Sequence, residues 1–204
     1  MKNKILKNLT IVLIPLSIFT AFAVSNNNNA PPPLGGVDKY EYQVGDKGPG
    51  GGFIFFVDYY NKYPDFTYLE AAPTDAKNGL SVPWCNNTMT SIPEVARWDA
   101  NAIGRGRFNT NAMLAGCSSG AAVVANNYTT LTTTSGDWFL PSEGELMLMY
   151  TNLRQAGVGD FASVIYWSST EFNSTRAWNQ YLNLGGQNVS NKNETLPVRA
   201  IRAF

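Results

Sequence analysis

The chain has 204 residues, 15 basic and 15 acidic side chains, and no histidine. That length carries one domain with a core, and a balanced charge offers no basic surface for nucleic acid or for an acidic membrane. Without histidine there is no Ser-His-Asp triad, no imidazole base and no histidine-ligated metal.

In chain order, the first feature is a leader. Lys2, Lys4 and Lys7 precede an apolar run from Leu9 to Phe19, and Ala21-Phe22-Ala23 follows as an A-x-A cleavage pattern. This reads as a signal peptide over residues 1–23, with a retained anchor as the alternative. The apolar run is shorter than the ~20 residues of a spanning helix. Residues 24–39 contain "NNNNAPPPLGG", an Asn/Pro/Gly-rich linker. The domain is expected over 40–204.

"GDKGPGGGFIFFVD" turns into a strand, Phe53 to Val57. Gly50-Gly51-Gly52 is not a phosphate loop, because no Lys-Ser/Thr follows and the next element is a strand. "YLEAAP" from Tyr68 gives a second strand. Helices are expected over Ile92 to Ala102 and over Asn109 to Ala125, the second carrying Cys117. Ser142 and Glu145 form a capping box. Leu146, Met149, Tyr150 and Leu153 then place one apolar face on a helix that Gly157 ends. The methionines in that stripe read as core rather than as soft metal ligands.

Beyond Gly157 the period becomes two. Ile165 to Ser168 is strand-like, and Trp178, Gln180, Leu182 and Leu184 alternate with Asn179, Tyr181 and Asn183. Val198 to Phe204 gives the last strand. Helices between terminal strands predict an α+β domain whose ends pair in one sheet.

Cys85 and Cys117 are the two cysteines. In an exported chain such a pair reads as a disulfide, and two unrelated buried thiols are the alternative.

Six stretches in order, "GPGGGFIFFVD", "YLEAAP", "DWFLPSEGELMLMY", "YWSSTE", "AWNQYLNLGGQ" and "VRAIRAF", carry a resemblance over residues 44–204. The chain resembles the bacterial C-type-lectin-like family typified by the C-terminal domain of collagen-like adhesins. The resemblance implies a C-type-lectin-like fold with two helices and an antiparallel sheet joining the chain ends. It also implies an exported protein, in the periplasm, at the cell surface or outside the cell, that binds a surface polysaccharide or protein. The closing frame is also similar to the variable proteins of diversity-generating retroelements, in which Asn codons near the 3′ end are mutated.

Six of the 22 asparagines fall within that closing frame, between Asn173 and Asn193. A frame of Trp167, Trp178, Val198, Ile201 and Phe204 is expected in the core. The filling between supplies short polar groups with donors and acceptors. Binding residues gather on loops held by a rigid scaffold. The ligand face is therefore expected at Phe172, Asn173, Arg176, Asn179, Tyr181, Asn183, Asn188, Asn191 and Asn193, within residues 172–195. A solvated, Asn-rich strand without a ligand is the alternative.

Glu171 is expected to pair with Arg199 or Arg202, the alternative being a catalytic acid. The Glu-Pro-Asn and Trp-Asn-Asp motifs of calcium-dependent lectins are missing, "AWNQ" standing in place of the latter. No cofactor or metal is expected. An oxidase-like enzyme on the same fold is the least favoured alternative, because fold alone does not give function. A structural envelope protein without a specific ligand is the nearer rival.

Overall fold

A computed structural model describes residues 40–89, 91–92 and 99–204. The leader expected over 1–23 and the linker expected over 24–39 lie outside the described residues. So do residues 93–98 of the helix expected over 92–102, whose remainder at 99–102 is a turn.

The strands are β1 Phe53–Val57, β2 Tyr68–Ala71, β3 Val82–Pro83, β4 Ile165–Glu171, β5 Arg176–Tyr181, β6 Gln187–Asn191, β7 Thr195–Leu196 and β8 Ile201–Ala203. The helices are α1 Gly106–Gly116, α2 Ala121–Asn126 and α3 Glu143–Met149, which continues as a π turn, Tyr150–Arg154. All strand pairs are antiparallel, in sheets ordered β1-β2-β8, β3-β7 and β4-β5-β6. The domain is α+β, and its first and last described strands share a sheet.

The described residues hold three α-helices, where the resemblance implied two. The helix predicted over 109–125 is broken between Cys117 and Gly120. Gly120 has φ 120°, and a Cβ there would stand 2.7 Å from the Trp84 carbonyl oxygen. No other residue tolerates both conditions, so the chain turns and restarts as α2. Cys117 ends α1 and forms a disulfide with Cys85, with a Cα–Cα distance of 5.4 Å. The bridge ties this break to the strand segment beside Trp84.

α3 begins as expected. The Ser142 hydroxyl accepts from the Glu145 N–H, and Glu145 Oε2 accepts from the Ser142 N–H at 2.7 Å. Leu146, Met149 and Leu153 are buried, and Gly157 follows the helix with φ 72°.

The glycine run wraps a carboxylate of the chain itself. Glu70 on β2 is fully buried, and its oxygens accept from the Gly50 N–H at 3.1 Å and the Gly52 N–H at 2.7 Å. Arg202 Nε on β8 lies 3.0 Å from the same group. A Cβ at Gly48 would meet the Glu70 carboxyl carbon at 2.5 Å. The loop is glycine-rich because side chains would exclude the carboxylate it surrounds.

The closing frame needs two corrections. Trp167, Val198 and Ile201 are fully buried, but Trp178 and Phe204 are only half-buried. Phe204 packs edge-on against Tyr42 and tilted against Tyr68. Glu171 pairs with neither arginine: Arg199 binds Asp75 at 2.7 Å and Arg202 binds Glu70. Its partner is Lys192, and both side chains are fully buried.

Candidate ligand-binding face

The β4-β5-β6 sheet displays most of the expected contact residues, and its register divides them. Arg176, Trp178 and Gln180 pair with Asn191, Val189 and Gln187. Alternation puts these on one face and Ala177, Asn179, Tyr181, Asn188 and Ser190 on the other.

On the first face a cluster forms at the β4-β5 hairpin. Phe172 is 45% exposed and meets Trp178 edge-on, with ring centroids 5.5 Å apart. The Arg176 guanidinium carbon lies 4.9 Å from the Phe172 ring centre. Such edge-to-face and cation–π geometry holds large side chains in place without burying them. Asn173 shapes the hairpin: its Oδ1 accepts from the Thr175 and Arg176 N–H groups at 3.0 and 2.8 Å, and from the Thr175 hydroxyl at 3.1 Å. This carboxamide oxygen is engaged in a local turn.

Beneath the hairpin lies the Lys192–Glu171 pair. Glu171 also accepts from the Ser91 hydroxyl at 2.8 Å and the Ile92 N–H at 3.0 Å. The Lys192 ammonium sits 4.7 Å from the Trp84 ring centre. Its backbone N–H donates to the Thr175 carbonyl, and its carbonyl accepts from the Trp84 N–H, each at 2.9 Å. The 191–194 turn is thereby joined to the hairpin and the core. Asn191 donates from its backbone and side-chain amides to Glu194 Oε1, at 3.0 and 2.9 Å. The backbone bond is the main reason the Glu194 carboxyl is held below the usual range. Asn193 is exposed on the same turn.

Tyr181 stands apart, at the far end of β5. It lines a groove of about 500 Å³ with Asp75, Ser81, Val164 and Leu196. Asn183 is exposed in the β5-β6 turn, and Asn188 is exposed with its Oδ1 accepting from the Val189 N–H. Asn179 is a correction: it is 1% exposed and cannot touch a ligand from that position. It is buried because β5 is covered on both faces at its middle, where Gln180 is buried too. The nine expected residues thus do not form one patch. Phe172, Arg176, Asn191 and Asn193 lie toward one end and Tyr181 and Asn183 toward the other.

Trp178, expected in the core, instead joins the half-exposed cluster with Phe172. Strict alternation with Gln180 and Leu182 placed it in the core. Its flanking by Phe172 and Arg176 across a short turn was the available signal. Among the described residues no group of three Cys, Asp or Glu side chains is arranged to hold a metal ion, and no helix is long and apolar enough to cross a membrane.

No family model matches the chain, and no curated protein matches it. Among solved structures, a fimbrial protein from Bacteroides ovatus ATCC 8483 aligns with a TM-score of 0.45 at 18% identity. The alignment covers 71% of this chain and 37% of that one. The chain therefore spans little more than a third of the fimbrial protein's length, and a likeness of that size carries no functional argument.

Proposed function

We propose that the protein is an exported, adhesin-like or receptor-like binding protein with a C-type-lectin-like fold, and that it binds a surface polysaccharide or protein ligand through its β4-β5 hairpin. The observation that carries this reading is the exposed Phe172–Arg176–Trp178 cluster on a hairpin anchored by a buried ion pair. Aromatic and arginine side chains dominate the energy of binding surfaces, and a preformed surface loses little entropy on binding. Asn191, Asn193 and the outer hydroxyls add adaptable polar contacts, as amide-rich antibody loops do. The Cys85–Cys117 bridge and the leader-like start support an oxidising, exported location. Variation of the gene by a retroelement agrees with the Asn-rich filling. It is tested by sequencing the neighbouring DNA for a near-copy of the final coding stretch beside a reverse transcriptase.

Binding is tested on an array of glycans and surface proteins. The wild type is compared with Phe172→Ala plus Arg176→Ala, with and without a calcium chelator. The expected outcome is a hit that the double substitution abolishes and the chelator leaves intact. A hit indifferent to both substitutions would place the site elsewhere. No hit at all on a broad array favours the structural envelope protein.

A further inference from the structure

A second cleft, of about 320 Å³, is lined by none of the β4-β5 hairpin residues. Its walls include Phe66, Phe108 and Phe139, and its polar groups include Asp65, Arg105 and Arg107. The volume is at the lower end of small-molecule sites, roughly 300–1,000 Å³. Three aromatic side chains with two guanidinium groups describe a site for a flat or ring-shaped body bearing an anion.

The two arginines are not equivalent. Arg107 is committed to the fold: Nη1 donates to the Gly136 carbonyl at 3.1 Å and Nη2 to the Asp137 carbonyl at 3.0 Å. Its guanidinium carbon also lies 4.7 Å from the Phe139 ring centre. Arg105 is held differently, by a ring and a carboxylate rather than by backbone carbonyls. Its guanidinium carbon lies 4.2 Å from the Phe108 ring centre, and its Nη2 forms a long ion pair with Asp99 Oδ2 at 3.8 Å. Its Nε and Nη2 are buried and have no hydrogen-bond partner among the described residues, so two donors of the cleft wall are left unsatisfied. A guanidinium offers five donors in a plane and pairs best with a carboxylate in a two-point bond. The backbone N–H groups at the cleft floor do not compete for the anion. Those of Gly104 and Gly106 point inward to Glu145 Oε1, at 2.8 and 3.5 Å.

We propose that this cleft binds a small ring-bearing organic acid, with its carboxylate on Arg105 and its ring against Phe66 and Phe108. Asp65 at the rim selects against ligands with several negative charges, such as nucleotides, and can accept from a ligand hydroxyl. Two sources share the required chemistry: uronic acids of acidic polysaccharides and free aromatic acids. The site is separate from the hairpin face and does not depend on it.

The test is a titration of the isotope-labelled protein by NMR, with glucuronate and benzoate as probes and glucose and sulfate as comparisons. The expected result is saturable binding of at least one acid, with shifts in the amides of Phe66 and residues 104–108. Arg105→Gln and Phe108→Ala, each checked by thermal melting to be folded, should weaken that acid by about tenfold or more. Preference for glucuronate identifies a sugar acid, and preference for benzoate an aromatic acid. The proposal is overturned by any of four results. They are no saturation by either acid at about 10 mM, glucose binding as well as glucuronate, sulfate displacing the acid as an equal, or Arg105→Gln leaving affinity unchanged.

Discussion

Lys192 and Glu171 form an ion pair from which water is fully excluded, between the 191–194 turn and the end of β4. Removing one member strands the other charge in the interior. Lys192→Met should therefore cost ~3–5 kcal/mol, whereas Lys192→Met combined with Glu171→Leu should cost clearly less. Urea melts of the two variants decide it. Additive losses in the double variant would contradict the pairing.

The disulfide closes a loop between positions separated by 32 residues. Cys85→Ala plus Cys117→Ala should lower stability by ~2–4 kcal/mol. Because the bridge lies at the break between α1 and α2, proteolysis under native conditions should cut first near residues 117–120 in the variant. Cleavage first in the β4-β5 hairpin would place the weak point elsewhere.

Glu145 gives a pH dependence. Burial pushes its carboxyl up to about 7, against the pull of N–H groups from Ser142, Gly104 and Gly106. In the unfolded chain it titrates near 4.5. The folded state holds the extra proton between those values. This group's contribution is complete below about pH 4.5 and is lost as pH rises through about 7. The swing is of order 3 kcal/mol. Glu145→Gln should flatten stability against pH across that window. Parallel profiles for the variant and the wild type would remove Glu145 as the cause.

The closing stretch separates into groups that hold the fold and groups that face outward, though not where alternation alone draws the line. Trp167→Ala should cost ~3–5 kcal/mol, because the ring is fully buried and its indole N–H donates to the Val82 carbonyl at 2.9 Å. Trp178→Ala should cost less and should weaken binding at the hairpin. Asn173→Ala should cost about 1 kcal/mol for the lost turn bonds, against less than about 0.5 for exposed Asn193→Ala. Denaturant melts order the four. If Asn193→Ala matched Asn173→Ala, the turn role of Asn173 would fail.

The sequence was most legible where a local rule decides the structure. The capping box at Ser142 and Glu145 and the strand at Phe53–Val57 each rest on a few neighbouring residues, and the disulfide follows from there being two cysteines in the chain. It was least legible where the decisive partner is distant. Lys192 reads as an exposed lysine among asparagines, and nothing near it announces Glu171, Ser91 or Trp84. Gly120 reads as an ordinary interruption until the Trp84 carbonyl is seen against it. Asn179 belongs to a polar run, yet β5 is covered on both faces there, a fact set by layers the local pattern does not encode. The Arg105–Phe108 stack is adjacent in sequence, but its cleft needs Phe66 and Phe139 to arrive from elsewhere.

The sheet order β1-β2-β8 has a consequence for the order of events during synthesis. Glu70 and Arg202 are 132 positions apart, and β8 is held on its other side by Phe139, which exchanges backbone bonds with Ile201 at 2.8 and 2.9 Å. A ribosome makes β2 long before β8. Until β8 emerges, β2 presents an open edge and Glu70 lacks its Arg202 partner. Contacts of such long range form late and slowly. The β1-β2-β8 sheet and the loop closed around Glu70 are therefore completed only once β8 has been made and docked.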